Sequence, residues 1–190
     1  KNEKIVAGGN GIEYRINQVK YPIDIVIDKE NDYFIVSDRA NRRIVRWSRS
    51  NNTNGQIIIS DIHCYGLTID NNEYLYVSNT GKHEVERWKI GNKDGTIVAG
   101  GNREDDHLNQ PTFIFVGKDY SLYIADGENH HVMKWIKGGK ERIIVVGRNG
   151  QGKQSNQFND LNGLSFDQQG DLYIVDRGNN RIQKFEIVLD

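Results

Sequence analysis

The 190-residue sequence has a single cysteine, Cys64, so it cannot form an intrachain disulfide framework. It has two prolines and one methionine, and no apolar run approaches the length of a membrane span. The longest apolar stretches are of the "IIVV" type (Ile143–Val146). Charge of one sign is also lacking: the formal net charge is -1, which excludes a global field toward nucleic acid or anionic lipid. No amphipathic helical period runs beyond a turn or two. The chain opens on Lys1 without an initiator methionine or a signal-peptide pattern, as expected of a fragment or a processed piece. These features set no compartment and no oligomeric state.

What the sequence has in quantity is glycine, twenty residues, with Asn- and Asp-rich clusters that punctuate short alternating apolar runs. This is the signature of half-buried strands. Four strings share one register: "DYFIVSDRANRRIVRW", "YLYVSNTGKHEVERW", "SLYIADGENHHVMKW" and "DLYIVDRGNNRIQKF". Their anchors are Asp38, Asn79, Asp126 and Asp176. Six residues on stand Ile44, Val85, Val132 and Ile182, and nine residues on stand Trp47, Trp88, Trp135 and Phe185. Upstream runs pair inward-facing residues as Ile25/Ile27, Leu67/Ile69, Ile114/Val116 and Leu164/Phe166. A fourth run reads "KIVAGG", "QIIIS", "TIVAGG" or "RIIVVG".

Four short strands per unit, with aromatic anchors 41, 47 and 50 residues apart, predict an all-β propeller of four-stranded antiparallel blades. The units fall at about 20–60, 62–101, 109–147 and 160–190, with strand 4–9 available to close the last one. A closed four-bladed ring and a four-blade portion of a larger propeller both fit. Ile44 and Trp47 are three apart, so a regular strand aims them at opposite faces, and both faces are expected to be buried between blades.

Two strings, "LNGLSFDQQGDLYIVDRGNNRIQKF" and "YPIDIVIDKENDYFIVSDRANRRIVRW", resemble the NHL repeat, and the resemblance covers essentially the whole chain. It implies a six-bladed propeller as the common form and, in general, a binding platform. Relatives among the tripartite-motif NHL proteins imply single-stranded RNA as a ligand. Lyase and lactonase-like propellers imply a metal in the central channel.

The anchor and the residue five further on read as a hydrogen-bonded pair across the hairpin: Asp38 with Arg43, Asp176 with Arg181, Asp126 with His131, and Asn79 with Glu84. A catalytic carboxylate need not recur in every blade, so these are read as structural turn pairs, and no catalytic residue is assigned. The turns "DKEND", "DNNEY" and "DQQGD" lack the ligand count of calcium loops.

Loops between second and third strands share one end of the propeller with those between fourth and first strands. There the candidate ligand- or partner-binding residues are Arg39, Arg42, His83, His130, Arg177 and Asn180. Arg39, Arg42, Arg43, Arg46 and Arg49 form an acid-free run that suggests a positive patch. The scattered histidines and "REDDH" (Arg103–His107) lack zinc spacing, so neither a metal nor a cofactor is expected. Cys64 reads as an inert packed thiol, and "NNT" (Asn51–Thr53) as a chance glycosylation sequon. The expectation is a non-enzymatic scaffold that presents its loops to a protein or peptide. The alternatives are an RNA-binding domain using the arginines and a metal-dependent lyase or lactonase-like enzyme.

Overall fold

The computed structural model describes residues 5–9, 11, 14–50, 55–101, 107–137 and 142–187. Fifteen strands in these residues form four antiparallel sheets. Blade 1 comprises β1 (Pro22–Asp28), β2 (Tyr33–Asp38), β3 (Arg43–Ser48) and β4 (Gln56–Ser60). Blade 2 comprises β5 (Cys64–Ile69), β6 (Tyr74–Asn79), β7 (Glu84–Lys89) and β8 (Thr96–Gly100). Blade 3 comprises β9 (Pro111–Val116), β10 (Leu122–Asp126), β11 (His131–Trp135) and β12 (Arg142–Val146). Blade 4 comprises β13 (Leu161–Phe166), β14 (Leu172–Asp176) and β15 (Arg181–Phe185). Each sheet is a simple meander in chain order, and the inner strands β1, β5, β9 and β13 lie side by side in that sequence. The chain is a β-propeller of four blades.

The register explains why the repeat reads as it does. In each blade the anchor pairs with the residue five further on: Asp38 with Arg43, Asn79 with Glu84, Asp126 with His131 and Asp176 with Arg181. Strand alternation then sends Ile44 into the core between blades 1 and 2, and Trp47 onto the opposite face of blade 1. Both are at most 2% exposed, so both faces of the blade are buried. Each internal seam repeats the chemistry. Ile35 and Ile44 meet Leu67, Leu75 and Val77 at the first. Tyr76 and Val85 meet Ile114, Leu122 and Ile124 at the second. Tyr123 and Val132 meet Leu161, Leu172 and Ile174 at the third. Burying one such side chain contributes about 1.5–3 kcal/mol, so most of the stability lies between sheets rather than within them.

Two expectations change at the ends of the array. Residues 5–9 do not complete blade 4, whose order is β13-β14-β15 among the described residues. Gly8 and Gly9 have φ of +72° and +78°, the values of Gly100 and Gly101 at the end of β8. Ala7 packs on Phe34, Val36, Val45 and Trp47 of blade 1, much as Ala99 packs on blade 3. The segment thus covers blade 1 as a fourth strand of a preceding blade would; Lys4 lies outside the described residues. Ile25 and Ile27, expected inward, are 53% and 46% exposed, because no preceding sheet covers the face on which Leu67 and Ile114 of the later blades are buried. Ile182 of blade 4 is 70% exposed for the complementary reason. Among the described residues no seam comparable to the internal three joins blade 4 to blade 1.

Candidate functional site

The hairpins between second and third strands and the loops entering each inner strand meet at one end of the array, and the anchor residues hold them together. The Asp38 carboxylate accepts from the Lys20 N–H at 2.7 Å, from Asn41 Nδ2 at 2.9 Å and from Arg43 Nε at 2.7 Å. The Arg43 guanidinium continues to the carbonyls of Tyr14, Arg15 and Gln18 at 2.8, 2.9 and 2.8 Å. Blade 4 repeats the arrangement. Asp176 accepts from the Asn159 N–H, Asn179 Nδ2 and Arg181 Nε, and Arg181 donates to the carbonyls of Lys153, Gln154 and Gln157. One arginine therefore closes its own hairpin and fixes the incoming loop with four hydrogen bonds, a task that the planar guanidinium with its five donors suits.

Blade 3 keeps the anchor with a shorter reach: Asp126 accepts from the Asn109 N–H and Asn129 Nδ2, with His131 Nε2 at 3.1 Å. Blade 2 departs from the expected pair. Asn79 Nδ2 donates to Glu86 Oε1 at 2.8 Å rather than to Glu84, and the other Glu86 oxygen accepts from Trp88 Nε1. Glu84 lies beside Glu86, and burial together with that neighbouring carboxylate pushes its own carboxyl above the usual range.

Four candidate binding residues, Arg42, His83, His130 and Asn180, occupy one structural position. Each lies four residues after its anchor with φ of 53°, 55°, 57° and 53°, the left-handed conformation the turn requires. Three of the six candidates are tied to the scaffold by their side chains. Arg42 pairs with Asp61, His83 Nδ1 accepts from the Gln110 N–H at 3.0 Å, and Arg177 Nε donates to Asp160 at 2.7 Å. His130 Nδ1 is buried without a hydrogen-bond partner. The arginine run does not converge. Arg43 is fully buried, Arg46 bonds Gln56 and covers the Tyr33 ring, and Arg49 pairs with Asp32. Arg39 differs: it is exposed, and its guanidinium lies 4.9 Å from the centroid of Tyr65.

Tyr65 leads to the axis of the propeller, a feature sequence reasoning missed. Its hydroxyl donates to Asn162 Oδ1 at 2.5 Å, joining blade 2 to blade 4, and its ring meets Phe113 edge-on at 5.4 Å. The signal was available: each of these residues stands one or two places into its inner strand, directly after Cys64, Pro111-Thr112 and Leu161. Gly66 allows the approach, since a Cβ there would stand 2.6 Å from the Thr112 carbonyl oxygen. Nearby, Asp24 accepts from the Leu67 and Ile25 N–H groups, while burial raises its carboxyl above the usual range.

This donor set does not fit a metal in the channel. Among the described residues no three His, Cys, Asp or Glu side chains converge, and the axial carboxylate is engaged by backbone N–H groups near the Arg39–Tyr65 stack. Cys64 is buried, with its thiol pushed up to about 12 by burial and then by the charge of Asp38. The Asn51–Thr53 sequon and Arg103–Asp106 lie outside the described residues.

A family model of the NHL repeat matches residues 158–185. No curated protein matches the chain by sequence. Among solved structures, a gluconolactonase from Xanthomonas campestris is 17% identical with a TM-score of 0.76, over 90% of this chain and 60% of its own. A chain of the nidogen–laminin complex is 20% identical with a TM-score of 0.73, over 89% of this chain and 62% of its own. An auxiliary nutrient binding protein from Bacteroides thetaiotaomicron is 18% identical with a TM-score of 0.72, over 89% and 48%. The chain thus spans about half to six tenths of the length of these structures, and at such identities the likeness is one of fold.

Proposed function

We propose that this β-propeller, whose residues 158–185 match the NHL repeat, acts as a binding module whose loop-bearing end receives a protein or peptide partner through a carboxylate. The observation that carries this reading is Arg39. Its neighbours Arg42, Arg43 and Arg49 are each engaged by an acid, whereas Arg39 is exposed and rests on Tyr65 near the axis. A guanidinium resting over an aromatic ring keeps N–H groups free for a two-pronged carboxylate, at a lowered entropic cost of ordering. Phe113 and Asn162 flank the same ring and supply apolar surface and an amide. The scaffold below is rigid while the loops differ in every blade, which suits selective recognition.

Anisotropy titration of fluorescein-labelled acidic and neutral peptides tests the reading. The acidic peptide is expected to bind saturably, and Arg39→Glu to weaken it by about tenfold or more at an unchanged melting temperature. If neither peptide binds while a short single-stranded RNA does, with a steep salt dependence, the nucleic-acid reading replaces it. Turnover of a simple aldonolactone would replace it with a hydrolytic reading.

A further inference from the structure

At the end of the array opposite the hairpin loops, the turns between first and second strands carry a second recurring pair. In blade 2 the Tyr76 hydroxyl donates to Asp70 Oδ2 at 3.0 Å, and in blade 4 Tyr173 donates to Asp167 Oδ2 at 3.2 Å. Blade 3 keeps the tyrosine and loses the acid. Tyr123 pairs across the sheet with Phe115 as Tyr76 does with Thr68 and Tyr173 with Ser165. At the acid position stands Gly117, whose N–H bonds the Ser121 carbonyl as the Asp70 and Asp167 N–H groups bond Tyr74 and Asp171. The Tyr123 hydroxyl is consequently buried with no hydrogen-bond partner, on a residue only 2% exposed. Buried hydroxyls ordinarily find a partner.

The same glycine borders open space. A cleft of about 1030 Å³ lies between the turns of blades 3 and 4, with Tyr123, Phe115 and Phe166 in its lining. Phe166 lies 4.9 Å from Phe115 and 4.7 Å from Tyr123, centroid to centroid, giving a continuous aromatic surface. Phe115 replaces the threonine or serine of the neighbouring blades, so the aromatic lining and the lost acid belong to the same blade. The acids at the rim are already engaged: Asp119 by Ser121 and Lys134, Asp167 by Tyr173 and the N–H groups of Gln169 and Asp171. Lys118 lines the cleft and is exposed, with no acid partner among the described residues.

We propose that this cleft is a ligand site for a small planar aromatic carboxylate. The ring lies on Phe115 and Phe166, a carboxylate oxygen accepts a hydrogen bond from the Tyr123 hydroxyl in place of the missing aspartate, and Lys118 balances the charge. The site is separate from the loop-bearing end and stands whether or not that end binds a peptide.

The test uses 2-naphthoate, followed by its fluorescence and by ligand-observed NMR, on the 190-residue chain. One saturable site is expected. Gly117→Asp restores the acid of blades 2 and 4, and its Cβ displaces Asp119 Oδ1, 2.6 Å away, from its contacts with Ser121. It is expected to abolish naphthoate binding in a chain that still folds, as read from circular dichroism. Tyr123→Phe is expected to weaken binding by about fivefold to tenfold. Ile182→Lys, on the exposed apolar face of blade 4, is expected to change nothing. No saturable binding to the wild type, binding that survives Gly117→Asp, or binding lost in Ile182→Lys would overturn the proposal. Should Gly117→Asp not fold, Tyr123→Phe and Lys118→Glu decide instead, and unchanged affinity in both overturns it.

Discussion

Arg43 and Asp38 form a fully buried ion pair at 2.7 Å, and Arg181 and Asp176 form the same pair at the same distance in blade 4 with the arginine 28% exposed. The two pairs share one geometry and differ in solvent access, which separates their energetics. Asp38→Ala strands a buried guanidinium, and a loss of about 3–5 kcal/mol is expected. Asp176→Ala leaves an arginine that water can reach, and the expected loss is about 1–3 kcal/mol. Urea denaturation of both variants checks the order; equal losses would mean that the shared geometry, not burial, sets the cost.

Acid should expose the blade 4 anchor. Burial alone would raise the Asp176 carboxyl, but hydrogen bonds from Asn179, the Asn159 N–H and Arg181 hold it below the usual carboxylate range. A carboxyl with a depressed folded value contributes stability that is present above its unfolded value and lost as pH falls through the folded one. Below about pH 4 the wild type should therefore lose stability more steeply than Asp176→Asn, as read from melting temperatures across pH 2–6.

Glu84 should behave in the opposite sense. Its carboxyl is raised by burial and by Glu86, so the folded chain holds the proton more tightly than the unfolded one. Stability is then lost as pH rises through the folded value. Glu84→Gln should raise the melting temperature at pH 7–8 and leave it unchanged near pH 4; a gain of equal size at both would remove the electrostatic cause.

Cys64 is fully buried, its Sγ donates to the Arg43 carbonyl at 3.4 Å, and its thiol is pushed up to about 12. Native protein at pH 8 should react with a disulfide reagent only at the rate of global opening, and denatured protein at once. Fast native labelling would contradict the packing of the first seam.

Position along the array should decide the cost of a charge. Val132 is fully buried in the third seam and Ile182, its counterpart in blade 4, is 70% exposed. Val132→Lys should prevent folding, and Ile182→Lys should stay within about 0.5 kcal/mol of the wild type. Circular dichroism of both variants distinguishes them.

The blades were legible in the sequence because four copies of one pattern had to bury the same faces, so anchors, aromatic positions and inward residues fell into one register. The Asp–Arg pairs were legible for the same reason. What the arginine does beyond its own hairpin was not, since the carbonyls of Tyr14, Arg15 and Gln18 carry no side-chain signature. Arg42, His83, His130 and Asn180 drew attention as distinctive loop residues, but what they share is a left-handed backbone. Asn79 was matched to the residue opposite it, and the structure selects Glu86, on the same strand two residues on, where Trp88 can hold the second oxygen. Gly117 escaped notice because a missing acid leaves no mark until the tyrosine it would have answered is placed.

The Tyr65–Asn162 contact gives the array a property that a plain stack of repeats does not have. In such a stack a disturbance passes only through immediate neighbours, so loosening the third sheet would sever the fourth from the rest. Here one phenol–amide strut spans the axis and bypasses that sheet. Local opening of blade 3 can then be tolerated as a reversible excursion, with the flanking sheets kept in register for its return.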